Sequence, residues 1–216
     1  MWQTLGVTRL VLASTSPARL SLLRAGGIEP LAIAPDVDEE LVAEEAKTAG
    51  KIHSVTDLVL LLARAKAEAV SNNENTLGSI VIGCDSVLEF DGEALGKPHE
   101  PQVAIDRWKR LRGKSGILHS GHWMIDNRDG LGEGRSIGQT SSSIVHFSDI
   151  SDFEIEAYVA TGEPLKVAGA FTIDGLGGAF IDRIEGDTHT VIGLSLTTLR
   201  KLTIELGVEY TSYWNR

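Results

Sequence analysis

The stretch RLVLASTSPARLSLLRAGG, residues 9–27, decides the fold class. Arg9–Ala13 is a short apolar run of the kind that forms a buried strand. Ser16 then offers a hydroxyl for an N-cap, and Pro17 has the fixed φ favoured at the first helical position. Leu20, Leu22 and Leu23 follow before Gly26-Gly27 stops the helix. Working outward, Pro30–Pro35 (PLAIAP) reads as a second extended piece. Thr56–Val70 is the clearest helix, with Leu58, Leu61, Leu62, Ala65 and Ala69 at helical spacing. Ser79–Cys84 (SIVIGC) reads as a core strand, and Val87–Phe90 runs into Asp91-Gly92, a hairpin turn signal. The pattern predicts a helix over Pro101–Leu111, strands over Ile117–Asp126 and Ser141–Phe147, a capping box at Ser151 and Glu154, and a closing helix over Ser195–Leu206. Strands and helices mixed in this order mean α/β, with the two ends on a shared sheet and a cleft as the natural site.

Composition bounds the function. A 216-residue chain with 42% hydrophobic residues can bury a core without staples, and it carries no repeat or low-complexity linker, so residues 1–216 read as a single domain. Cys84 is the sole cysteine, which excludes an internal disulfide framework and a multi-cysteine zinc site. No signal-peptide pattern follows Met1, and no run approaches the roughly 20 apolar residues that span a bilayer; the expectation is a cytoplasmic protein without a membrane partner. Twenty basic against 30 acidic residues give a net charge of −10, which argues against nucleic-acid polymers as partners. A single nucleotide stays within reach, because a few local cations or a metal suffice to hold one triphosphate.

The strand–helix junction Ser14-Thr15-Ser16-Pro17-Ala18-Arg19 is the first candidate site. A helix N-terminus offers free N–H groups and a positive dipole end to a phosphate. The hydroxyls of Ser14 and Ser16 add donors, and Arg19 can pair with phosphate oxygens. A capped helix with no ligand reads the same way. Asp36, Asp38, Glu39, Glu40, Glu44 and Glu45 form an acidic run that reads as a solvated face or helix start, or as carboxylates holding Mg²⁺. Asp85 follows the Ser79–Cys84 strand. It reads equally as a catalytic carboxylate, ligating metal or taking a proton from water, and as the cap of a turn that ends the strand. Lys66 on the long helix and Lys97 in Gly96-Lys97-Pro98 are cations that could serve a phosphate or stay solvated.

Other motifs fail on physical grounds. Gly113-Lys114-Ser115 lacks the earlier P-loop glycine, whose place is taken by Trp108, and it follows a helix. Gly175-Leu176-Gly177-Gly178 lacks the dinucleotide-binding pattern. His119 and His122 lie three apart in an expected strand and would face opposite sides, so they are poor partners for one metal. Cys84 sits in a strongly apolar strand and reads as a buried residue rather than a nucleophile.

Taken together, Leu12–Arg19 (LASTSPAR), Asp36–Glu39 (DVDE), Leu62–Ala67 (LARAKA), Gly83–Ser86 (GCDS), Leu95–Pro98 (LGKP), Tyr158–Pro164 (YVATGEP), Ala168–Phe171 (AGAF), Phe180–Gly186 (FIDRIEG) and Val191–Leu196 (VIGLSL) resemble the Maf family of nucleotide pyrophosphatases, in family order and over nearly the whole chain. The resemblance implies an elongated mixed β-sheet flanked by helices in two lobes with a central cleft, of the Maf and Ham1 inosine triphosphatase type. It implies hydrolysis of a nucleoside triphosphate to the monophosphate and pyrophosphate with a divalent cation, Mg²⁺ first and Mn²⁺ as the alternative. House-cleaning of modified or surplus nucleotides, a link to cell-division arrest and a homodimer belong to the same family picture. On this chain it places Ser14, Ser16 and Arg19 at the phosphate and Glu39 and Asp85 at the metal. Asp85 is also the proton acceptor, and Lys66 and Lys97 offset the triphosphate charge. The reading from a different class is a nucleotide-binding regulator of division that does not turn its ligand over.

Members similar to dTTP/UTP pyrophosphatases carry two arginines after S-P, Thr after the catalytic Asp, and Gln in an I-Q-G motif. This chain has Ala18, Ser86 and Asp174 there, the positions that affect substrate choice. A carboxylate only accepts hydrogen bonds, so Asp174 suits a base that presents amino or N1–H donors, such as guanine or cytosine, over uracil. An acidic residue here also resembles relatives acting on 7-methyl-GTP.

Overall fold

The computed structural model describes residues 8–132 and 134–214. Its strands form a seven-stranded mixed sheet flanked by helices, in the order β2 (Leu31–Ile33), β1 (Arg9–Ala13), β3 (Ser79–Phe90), β5 (Ser115–Asp126), β6 (Ser136–Phe147) and β7 (Ile181–Glu185), with β4 (Glu93–Leu95) paired to β3. The chain divides into two compact units: Met1–Asp85, Gly121–Thr140 and Leu196–Arg216 in the first, Ser86–Ser120 and Ser141–Ser195 in the second.

In the first unit, β1 (Arg9–Ala13) pairs parallel with β2 (Leu31–Ile33) and with β3 (Ser79–Phe90). The turn into α1 (Pro17–Ala25) follows the sequence to the residue: Ser16 is the N-cap, Pro17 opens the helix and Gly26 closes it. The acidic run becomes α2 (Glu39–Thr48), capped by the Asp38 carboxylate. α3 (Val55–Ser71) buries Val59, Leu62, Ala63, Lys66, Ala67 and Val70, one face at helical spacing. This face lies directly on backbone. A Cβ on Gly83 would stand 2.1 Å from the Ala63 carbonyl oxygen, and one on Gly121 would stand 2.3 Å from that of Val59. Only glycine admits so close a helix. Val11, Ala13, Ala67, Val70, Val81 and Ile125 form the adjoining core.

The second unit holds the hairpin of β3 with β4 (Glu93–Leu95), turned at Asp91 (φ 51) and Gly92 (φ 77). α4 (Pro101–Leu111) keeps the bounds expected from sequence. Its Trp108 donates an indole hydrogen bond to the Ala170 carbonyl at 2.7 Å and meets Phe147, Tyr158 and Phe180 edge-on. α5 (Asp152–Ala160) carries the full Ser151–Glu154 capping box. β7 (Ile181–Glu185) pairs antiparallel with β6 (Ser136–Phe147), and α6 (Thr188–Ile192) follows. β5 (Ser115–Asp126) and β6 are longer than the sequence predicts, and α7 (Leu196–Glu205), which belongs to the first unit, is the expected closing helix.

One expectation is corrected. Ser79–Cys84 and Val87–Phe90 are not separate pieces with Asp85 at a strand's end; they form one strand, and Asp85 lies inside it. The buried carboxylate is satisfied by a side chain from α3, so it has no need to end the strand at a turn.

Candidate active site

Two groups of side chains meet where β1 passes into α1 and where α3 lies on β3. At the junction, the buried Ser14 Oγ accepts from the Ser16 N–H at 3.1 Å and from Arg19 Nη1 at 3.3 Å. Both lone pairs are spent, so its own O–H is left as a donor. Ser16 Oγ caps the helix by accepting from the Arg19 N–H at 3.4 Å. Arg19 Nη1 also donates to the Cys84 carbonyl at 2.8 Å, tying α1 to β3 one residue before Asp85. The first turn of α1 holds no acidic residue, so no carboxylate of its own fills the positive end.

Beside this junction, Lys66 donates to Asp85 Oδ1 at 2.6 Å and pairs with Glu39 Oε2 at 2.9 Å. The Lys66 and Asp85 side chains are 7% and 10% exposed, and that of Glu39 is 41% exposed. Lys66 is therefore no solvated surface charge. The acidic run sorts itself: Asp38 caps α2, Glu40, Glu44 and Glu45 are exposed, and Glu39 alone of these pairs with Lys66. Burial pushes the Asp85 carboxyl up from its ordinary value, against the Lys66 ammonium and Arg19, while Glu39 adds to the rise. Such a carboxylate is poised to take a proton. Burial also raises the Cys84 thiol to about 11, so it is no nucleophile at neutral pH.

Among the described residues no three His, Cys, Asp or Glu side chains converge on a common point, so these residues build no closed metal cage. Two carboxylates, Glu39 and Asp85, share one cation. That donor set fits Mg²⁺ or a similar hard ion, which binds through one or two carboxylates and completes its shell with phosphate oxygens and water.

The remaining sequence candidates take no part in the Lys66 ion pairs. Ala18 is partly buried on the first turn of α1. Ser86, Lys97 and Asp174 belong to the second unit. Ser86 Oγ lies 2.7 Å from Ser120 Oγ, whose proton goes to the Thr190 carbonyl, so Ser86 is the donor of that pair. Lys97 is exposed and follows Gly96, whose carbonyl accepts from Arg107 Nη1 at 2.6 Å. Asp174 is exposed in the bend before residues 176–180. His119 engages Glu89 and Ser142, and His122 engages the Gln139 carbonyl; the two have different partners. Sequence reading used Glu163 only as part of YVATGEP, yet its carboxylate gathers four hydrogen bonds.

The chain is similar to three proteins called nucleoside triphosphate pyrophosphatase. That of Leifsonia xyli subsp. xyli is 52% identical over 96% of this chain and 97% of the relative. That of Salinispora tropica is 53% identical over 96% and 88%, and that of Streptomyces coelicolor 48% over 95% and 94%. The solved Staphylococcus aureus Ham1 protein aligns at 14% identity and TM-score 0.35, over 66% of this chain and 73% of that one. Residues 9–206 match Maf-like protein, and the chain belongs to the Maf family.

Proposed function

We propose that this chain hydrolyses nucleoside triphosphates to the monophosphate and pyrophosphate, with Asp85 as the base that takes the proton of the attacking water. The observation that carries the reading is the buried Lys66–Asp85 pair, with Glu39 on the same ammonium, beside a helix N-terminus free of its own carboxylates. The relatives' shared name supports the reaction class. Ser14 O–H, the Ser16 hydroxyl, Arg19 and the first N–H groups of α1 would hold phosphate oxygens. Lys66 would offset charge that develops on them as pyrophosphate leaves, a part the family pattern gives to Lys97 as well. Glu39 and Asp85 would hold a divalent cation, Mg²⁺ or Mn²⁺, which when bound supplies further charge neutralisation at the phosphates. Asp85 is held in place by Lys66, so its proton-accepting oxygen stays fixed.

Asp174 would read the base, favouring guanine-type or other amino-bearing bases over uracil, with Ala18 and Ser86 as the companion specificity positions. The same reading makes the whole chain one functional domain, acting as a cytoplasmic homodimer that clears surplus or modified nucleotides, with a role in cell-division arrest. No helix among the described residues is long and apolar enough to cross a membrane.

The test is product analysis with Mg²⁺ and a panel of nucleoside triphosphates, wild type beside Asp85→Asn. Monophosphate with pyrophosphate from wild type alone is the expected result. Release of single phosphates would overturn the reaction class. Binding without turnover would favour the regulator. UTP or dTTP outrunning every guanine nucleotide would sink the role of Asp174.

A further inference from the structure

We propose that Glu163 is a positioning residue for base selection: its carboxylate latches residues 172–177 and so fixes where Asp174 stands. The proposal rests on the base-reading role given to Asp174 above. Glu163 follows Gly162, whose φ of 77° turns the chain sharply after α5. Its Oε1 accepts from Tyr158 Oη at 2.9 Å, from Thr172 Oγ1 at 2.6 Å and from the Gly177 N–H at 3.0 Å. Its Oε2 accepts from the Leu176 N–H at 3.0 Å. Three of these donors, Thr172, Leu176 and Gly177, bracket Asp174 on both sides.

The segment is shaped around that carboxylate. A Cβ on Gly175 would stand 2.7 Å from Glu163 Oε2, and one on Gly177 would stand 2.4 Å from the Tyr158 hydroxyl oxygen. Asp174 is exposed and the Leu176 side chain points largely to water, so of residues 173–176 only Ile173 packs on the aromatic core. Hydrogen bonds, rather than burial, therefore hold the bend. Burial works to raise the Glu163 carboxyl, but the bonds from Thr172, Gly177, Leu176 and Tyr158 outweigh it and keep it below the ordinary value. The latch is a carboxylate at neutral pH, able to accept on every side. A glutamine would turn an NH₂ group toward one of the N–H or O–H donors and lose at least one bond.

The experiment compares wild type, Asp174→Asn, Glu163→Gln and the double variant. Turnover of GTP and UTP with Mg²⁺ is measured beside amide hydrogen exchange across residues 172–178. Expected are changes of about tenfold or more in the GTP-to-UTP ratio of kcat/KM for each single variant, carried by KM, and no further change in the double variant. The Leu176 and Gly177 amides exchange faster in Glu163→Gln and keep their protection in Asp174→Asn. If Asp174→Asn shifts the ratio and Glu163→Gln does not, the latch proposal falls and the base-reading role stands. If Asp174→Asn leaves the ratio unchanged, the base-reading role falls and the latch proposal with it. A Glu163→Gln protein that loses kcat equally on both nucleotides has only a structural glutamate, which also overturns the proposal. Tyr158→Phe and Thr172→Val each delete one donor and keep the carboxylate; should Glu163→Gln fail to fold, a ratio shift in these two supports the latch and its absence refutes it. Wild type that hydrolyses no triphosphate removes the reaction itself, a result distinct from any change of ratio.

Discussion

Replacing Lys66 by methionine keeps much of the side chain's length and apolar volume but removes the cation 2.6 Å from Asp85 and 2.9 Å from Glu39. The two carboxylates lose unequally. The Glu39 side chain is 41% exposed, so water screens it and its share is small. Asp85 is buried, and leaving one partner of a buried ion pair alone costs about 3–5 kcal/mol. Protonation is the escape. Burial already pushes the Asp85 carboxyl up and Lys66 opposes it, so without Lys66 it rises further. Above the ordinary aspartate value the unfolded chain then binds fewer protons than the folded one, so stability falls as pH rises, by about 1.4 kcal/mol per unit. The stability is retained below the ordinary aspartate value and is lost as pH climbs through the raised folded value. Urea unfolding of wild type and Lys66→Met from about pH 5 to about pH 8 should show a gap that widens with pH and levels near 3–5 kcal/mol. A gap that is independent of pH, or below about 1 kcal/mol at the alkaline end, would refute the claim that Lys66 holds a buried carboxylate ionised.

Asp85→Asn should lower kcat by about 10²–10⁴. In urea near pH 8 it should lose less stability than Lys66→Met, because the Lys66 ammonium left in the core still pairs with Glu39, whereas Lys66→Met strands the Asp85 carboxylate; a loss as large as that of Lys66→Met would contradict this. Gly83→Ala drives a methyl group onto the Ala63 carbonyl oxygen, and overpacking of this kind costs about 1–3 kcal/mol or more. Thermal unfolding should register that loss, and kcat should fall with it because α3 carries Lys66. Ser151→Ala removes the α5 cap, which should cost about 1 kcal/mol in thermal or urea unfolding and leave kcat/KM unchanged.

Local rules made much of the fold legible. Ser16, Pro17 and Gly26 place α1 because a cap, a ring-locked φ and a helix stop act over a few residues. The same is true of α4, opened by Pro101, and of the capping box that opens α5. β7 went unread because its burial alternates weakly, with only Ile181 and Ile184 even partly covered. Composition and spacing left the roles of single charges open, since these depend on partners far along the chain; only the family resemblance assigned them. Asp85 looked like a strand end because its counter-ion comes from nineteen residues earlier. By spacing Glu39 was one carboxylate among six; the motif resemblance singled it out, and in the fold it is the one of them paired with Lys66. Glu163 gave no signal, because its partners Tyr158, Thr172, Leu176 and Gly177 share no periodicity.

Two of the matching motifs, LARAKA and GCDS, are the two sides of one contact. Ala63, Lys66 and Ala67 lie three and four residues apart, on one face of α3, and all three are buried. Gly83 and Asp85 lie two apart on β3, on one side of the strand. Ala63 and Ala67 are small and Gly83 has no side chain, so the helix comes down until backbone nearly touches backbone. At that height the Lys66 ammonium reaches Asp85 without leaving the core. A larger residue at 63, 67 or 83 would lift the helix and lengthen the 2.6 Å contact, whatever its effect on folding. Those small positions are therefore part of the chemistry: they set the separation that keeps a buried carboxylate both paired and proton-accepting.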